Sequence, residues 1–217
     1  MPPRAVALLL HGGAEHGLDA VPPWRLAYLR MVPFARALGA AYGGHGLEVR
    51  LLRNRVRGWN EPTLPAVQDA RWALRRVRAE RPSLPVLLVG HSMGGRVALR
   101  VADDPDVTAV CALAPWTPED EPVEPVRDRT VLVAHGTHDR VTSPKASYRY
   151  ATRAEATAGR LARVEVAGES HAMVRRPAVW NRLVLDTAAR GLDLPGRDGD
   201  LDHAWCERNP HRLRTRL

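Results

Sequence analysis

The sequence predicts an α/β fold with a mainly parallel central sheet and helices on both faces. Three observations predict it. Short Leu-rich or β-branched runs alternate with longer amphipathic stretches along the whole chain, the pattern of strand–helix–strand units. Some of the runs, Val86–Val89 above all, are continuously apolar rather than alternating, as strands buried on both faces are. The 217 residues, 45% of them hydrophobic, suit one domain with a sizeable core. Right-handed crossovers follow from the same architecture.

Taken in order, Arg4–Leu10 reads as the first strand. A polar, Pro-containing segment follows, from His11 to about Met31. A helix opens near Pro33, a residue suited to a first turn, and ends around Gly43-Gly44. Leu47–Leu52 is the second strand and Arg53–Pro65 a loop. Ala66–Arg81 carries Ala66, Ala70, Ala73, Leu74 and Val77 at helical spacing and is stopped by Pro82. After the Val86–Val89 strand come a helix over Gly94–Ala102 and strands over Val107–Ala114 and Thr130–Ala134. A helix over Pro144–Ala158, a strand over Leu161–Val166 and a helix over Ala178–Gly191 complete the set. Residues 1–192 are read as one domain. Beyond about Leu194 the periodicity stops, so 193–217 is expected to be a basic tail, mobile or laid on the surface.

The formal net charge is +8, yet only one of the 32 basic residues is a lysine, Lys145, and the arginines are spread over the chain. A nucleic-acid-binding stripe is therefore not expected. The one local excess is Arg208, Arg212, Arg214 and Arg216 in the tail. Two cysteines, Cys111 in an apolar run and Cys206, make no disulfide framework. The N-terminus does not read as a signal peptide and no stretch is long enough for a membrane span, so a cytoplasmic location is the expectation. Oligomeric state is not legible.

The chemistry centres on Gly90-His91-Ser92-Met93-Gly94-Gly95, which follows an apolar strand and opens a helix. This is the G-x-S-x-G pattern in the context it requires: a turn too tight for side chains at Gly90 or Gly94, which exposes the Ser92 hydroxyl at the carboxyl end of the sheet. A serine needs a base, and the base an orienting acid. The Thr130–Ala134 strand runs into His135-Gly136-Thr137-His138-Asp139, and Leu161–Val166 into Gly168-Glu169-Ser170-His171, so Asp139 and His171 reach the edge that carries Ser92. Asp104, Asp106, Glu119 and Asp120 remain alternative acids. His135 and His138 are read as orienting or packing the acid turn. They do not make a metal site, because no third ligand has a clear spacing. His11-Gly12-Gly13-Ala14 supplies an exposed backbone for an oxyanion hole, one N–H coming from this loop and one from Met93.

These blocks together resemble the α/β-hydrolase superfamily of serine esterases and lipases, and within it the monoacylglycerol lipase and lysophospholipase-like group. The likeness is carried by His11–His16, by Gly90–Gly95, and by His135–Arg140 with Ser143-Pro144-Lys145. It implies an α/β-hydrolase fold, a triad of Ser92, Asp139 and His171, and oxyanion donors at Gly13 and Met93, with no cofactor and no metal. Lipases of this group insert a helical lid where this chain has only Pro115–Arg129, short, acidic and proline-rich. A minimal core without a cap domain is expected, and with it a small or exposed ester rather than a long acyl chain. Trp24, Trp59 and Trp116 fall on loops at the carboxyl ends of strands, where they either line the pocket or pack their loops. The same triad also suits a thioesterase, amidase, lactonase, C–C hydrolase or cofactor-free lyase, and the fold alone a non-catalytic binding protein.

Overall fold

The computed structural model describes residues 2–196, 201–205 and 213–217. Seven strands form one sheet: β1 (Ala5–Leu10), β2 (Leu47–Leu52), β3 (Val86–His91), β4 (Val107–Leu113), β5 (Thr130–Gly136), β6 (Arg160–Val166) and β7 (Thr215–Arg216). Their order is β2-β1-β3-β4-β5-β6-β7 and every neighbouring pair is parallel.

Strand periodicity divides the core into two layers. In β1, Ala5, Ala7 and Leu9 face one side, where they pack with residues of α2 (Val32–Tyr42) and α6 (Pro177–Gly191), Phe34, Leu38 and Trp180 among them. Val6, Leu8 and Leu10 face the other side, with residues of α3 (Pro65–Glu80), α4 (Met93–Arg100) and α5 (Pro144–Ala154) such as Leu74, Val97 and Tyr150. The continuous burial of β3 follows from this double cover. A single turn, α1 (Leu26–Leu29), precedes α2 within the segment read as polar.

The chain winds outward from β1 to β2, then returns across β1 to β3. The carboxyl ends of β1 and β3 therefore flank a topological switch point, the place where open α/β sheets hold ligands. The Pro115–Arg129 interval contains one short 3-10 turn, Glu124–Val126, and no cap.

Two expectations need correction. The helix expected over Pro144–Ala158 ends at Ala154: Thr157 and Ala158 turn back onto the Ala154 carbonyl, and Ala158 bridges to Arg127. The described part of 193–217 is not a free or merely superficial segment. Leu201, Ala204 and Trp205 of α7 (Asp202–Trp205) enter the core, Trp205 Nε1 donates to Asp186 Oδ2 at 2.6 Å, and Thr215–Arg216 extends the sheet as β7. Fully buried Arg163 helps hold that return, donating to Leu213 O at 3.0 Å and Pro144 O at 3.0 Å. Arg214 lies over the Tyr148 ring. Cys206, Arg208 and Arg212 lie outside the described residues.

Candidate active site

Ser92 is the hinge between β3 and α4. Its backbone stands at φ 57°, ψ −119°, a strained conformation for a residue with a Cβ, held by Ser92 N–H donating to Leu113 O at 2.9 Å and Trp116 N–H donating to Ser92 O at 3.2 Å. The flanking glycines are required by contact. A Cβ on Gly90 would stand 2.1 Å from Gly94 O, and one on Gly94 would stand 2.2 Å from Leu10 O. The first loop closes over the same turn: a Cβ on Gly13 would lie 2.4 Å from Met93 Cε, and one on Gly12 would lie 3.3 Å from Ser92 Cβ. Gly13, Ser92 and Met93 line one pocket of about 230 Å3, together with Glu15, Trp116 and Thr142.

Asp139 follows β5 and His171 follows β6, and the structure brings their side chains together. His171 Nδ1 stands 2.7 Å from Asp139 Oδ2. The Asp139 side chain is fully buried and His171 is 17% exposed. The other carboxylate oxygen, Oδ1, accepts from Val141 N at 2.8 Å and Thr142 N at 3.0 Å. Burial alone would raise the Asp139 carboxyl. Hydrogen bonds from His135, His171, Thr142 and Val141 outweigh it and hold the group far below the usual carboxylate range. Among the described residues the Ser92 hydroxyl makes no hydrogen bond, to His171 Nε2 or otherwise; this contact is often long before substrate binds.

Two neighbours of Asp139 complete its shell. His135 is fully buried with Nε2 3.2 Å from Asp139 Oδ2, and burial lowers its pKa, so it meets Asp139 as a neutral hydrogen-bond donor. Thr142 Oγ1 lies 3.0 Å from Asp139 Oδ2, 3.2 Å from His135 Nε2 and 3.2 Å from His171 Nδ1. Thr142 had no signal in the sequence beyond its place three residues after the acid. In the sequence His91 stands only as part of the elbow. Its Nε2 donates to the His171 carbonyl at 3.1 Å and its ring lies 4.7 Å from the His171 ring. Burial, then the nearby His171 and Arg30, push its pKa down to about 3.

The alternative acids lie elsewhere. Asp104 and Asp106 pair with Arg78, and Glu119 with Arg149. Asp120 lines an adjoining pocket with Glu15, Glu61, Trp59 and Trp116. His138 is exposed. Of the three tryptophans, Trp116 lines the Ser92 pocket, Trp59 is buried against Arg96, and Trp24 is exposed. Among the described residues no group of three or more His, Cys, Asp or Glu side chains could hold a metal ion. Cys111 is a buried free thiol, its pKa pushed by burial up to about 12. No described helix is long and apolar enough to cross a membrane.

Comparison with known proteins bears on the family and the fold. A family model described as serine aminopeptidase, S33, matches residues 1–130, a span that includes the Ser92 elbow and stops before Asp139 and His171. None of the curated proteins matches the chain. Among solved structures, an α/β serine hydrolase without a lid from Xanthomonas campestris is 22% identical with a TM-score of 0.67, over 91% of this chain and 86% of that one. An α/β serine hydrolase homologue from Coxiella burnetii is 18% identical with a TM-score of 0.64, over 85% of each chain. An esterase from Pyrococcus furiosus is 13% identical with a TM-score of 0.66, over 88% of this chain and 82% of that one. The shared architecture is the α/β-hydrolase fold, and this chain, like the Xanthomonas campestris protein, has no lid.

Proposed function

The chain belongs to the serine aminopeptidase S33 family, and from that premise we propose that it is a serine hydrolase cleaving a carboxylic ester with a small or exposed acyl group through an acyl-enzyme on Ser92. The observation that carries this reading is the 2.7 Å contact of His171 Nδ1 with a buried Asp139, two strand ends away from a serine in a strained elbow. In this mechanism Asp139 fixes the tautomer that leaves His171 Nε2 free as the base. His171 takes the Ser92 proton as Oγ bonds to the ester carbonyl carbon. The carbonyl electron pair moves onto oxygen, where the Gly13 and Met93 N–H groups receive it. His171 then passes the proton to the leaving alcohol as its C–O bond breaks. Water repeats the sequence on the acyl-enzyme and frees Ser92. The absence of a cap between Pro115 and Arg129 favours short or exposed acyl groups over long chains.

A second reading, cleavage of an amide next to a free amino group, is favoured by the family description and by the carboxylates Glu15, Glu61 and Asp120 around the pocket adjoining Ser92. A cytoplasmic location and a small-molecule substrate accompany either reading. The test is a fluorophosphonate probe on the native protein and on Ser92→Ala. The native protein should be labelled and Ser92→Ala should not. An unlabelled native protein refutes the proposal. Rates on p-nitrophenyl esters against aminoacyl p-nitroanilides then choose between ester and amide.

A further inference from the structure

We propose that Glu169 is the positioning residue that sets where His171 stands against Asp139 and Ser92. The inference rests on the triad reading above. His171 sits midway along the irregular segment between the end of β6 at Val166 and the start of α6 at Pro177. Such a segment has no ladder to place a side chain, and the backbone bonds it makes within itself are sparse: Glu169 N–H to Val166 O at 3.3 Å and Met173 N–H to Ser170 O at 3.2 Å.

Glu169 supplies what the backbone lacks. Its fully buried carboxylate accepts from Ser170 N at 2.8 Å through Oε1. Through Oε2 it accepts from Arg175 N at 3.0 Å, Arg176 N at 2.8 Å and Trp180 Nε1 at 3.2 Å. The loop donors stand on both sides of His171 in the chain, so one side chain ties together the two limbs of the loop that carries the base. The main chain of the same residue reaches the acid loop: His138 N–H donates to Glu169 O at 2.9 Å, one residue before Asp139. That approach is close enough that a Cβ on Gly136 would stand 2.4 Å from Glu169 O. Glu169 is thus joined at once to the loop of the acid, the loop of the base and the first turns of α6.

A buried carboxylate is tolerated only when its oxygens are hydrogen-bonded, and here every donor belongs to the His171 loop or to α6. The start of a 15-residue helix adds its positive end. The layers themselves do not depend on this group, since β6 and α6 are anchored by Val164, Val166, Leu183 and Val184 in the core. Losing the carboxylate therefore loosens the loop rather than the fold.

The experiment compares native protein with Glu169→Gln and Glu169→Ala. It reads kcat and KM per Ser92 titrated by fluorophosphonate, the unfolding midpoint, and the low-field proton NMR resonance of the His171 Nδ1–H, identified by its loss in His171→Ala. Misplacing the base by about 1 Å costs up to about 100-fold, so Ala should lower kcat by roughly that factor and lose the resonance. Gln keeps one carbonyl oxygen for Arg175, Arg176 and Trp180 but turns an amide against Ser170 N–H. It should lower kcat about tenfold, with KM within about twofold and the resonance weakened. If every folded variant keeps kcat per titrated serine and the resonance, whatever its midpoint, Glu169 is structural only and the inference falls. A native protein that shows the resonance but neither labels nor turns over refutes the Ser92 chemistry, while the Gln resonance still decides the role of Glu169. A native protein with neither resonance nor activity overturns both.

Discussion

At the scale of single residues, the candidate site is organised around one carboxylate. Asp139 accepts from two backbone N–H groups on Oδ1 and faces His171, His135 and Thr142 with Oδ2. A buried anion with that many donors is fixed in place and in charge, so in the proposed mechanism its work is to orient His171 and stabilise the imidazolium that forms, not to take a proton. Asp139→Asn keeps the shape and reverses one polarity: an amide N–H opposite His171 Nδ1–H, or a flipped tautomer that turns the wrong nitrogen to Ser92. The expected result is a fall in kcat of about 10⁴-fold with little change in KM, read from ester hydrolysis at neutral pH. A loss under about tenfold would mean that another acid serves His171. Much of this was legible beforehand, because Ser92, Asp139 and His171 each end or follow a strand that its apolar run announces. What was not legible is the second layer. Thr142, His91 and the Glu169 carboxylate act through contacts between loops far apart in sequence, and no local spacing encodes which loops will touch.

At the scale of elements, the segment that replaces a lid is held down rather than left free. Glu121, fully buried within Pro115–Arg129, pairs with Arg96 and with Arg100, whose Nε stands 2.6 Å from Oε1. The Arg96 guanidinium in turn lies 3.9 Å from the Trp59 ring and 4.5 Å from the Trp116 ring. Both arginines belong to α4, the helix that opens at Ser92, so this cluster fixes Trp116 as a wall of the pocket. Glu121→Ala leaves Arg96 buried and without its main partner, and removing one member of such a pair costs about 3–5 kcal/mol. Urea unfolding should show a loss of that size. A change below about 1 kcal/mol would mean that the arginines find water instead. The element pattern itself was readable wherever burial is two-sided or periodic, which is why β1 to β6 and the main helices fall where the sequence places them. The C-terminal segment was not. β7 is two residues long, α7 is four, and both are held by Arg163 and Asp186 across the fold, so neither carries a period of its own.

At the scale of the whole molecule, the carboxyl edge of the sheet gathers buried histidines as well as the candidate site, and this gives the fold a defined weakness to acid. His11, His91 and His135 are all buried near the carboxyl ends of β1, β3 and β5, and in each burial is the first cause that lowers the pKa from the ordinary 6.5, for His91 to about 3. The sign follows from linkage. Below about pH 6.5 the unfolded chain protonates these rings while the folded chain resists, so the unfolded state binds more protons and stability falls as pH falls. The loss begins near the unfolded value and runs down towards the folded one; Asp139, whose carboxyl is also depressed, extends it below the ordinary carboxylate range near 3.8. Each ring contributes at most about 1.4 kcal/mol per pH unit, so three titrating together approach about 4 kcal/mol per unit. Acidification also adds positive charge to a chain already at +8, and self-repulsion would lower stability in the same direction. The two causes separate in a variant. His91→Gln removes one buried ring without adding charge, so its slope of unfolding free energy against pH should be shallower than native by up to about 1.4 kcal/mol per unit between about pH 6 and 4. A native curve that is flat from about pH 7 to 5, or a His91→Gln curve parallel to it, would show that the buried rings do not set the acid limit.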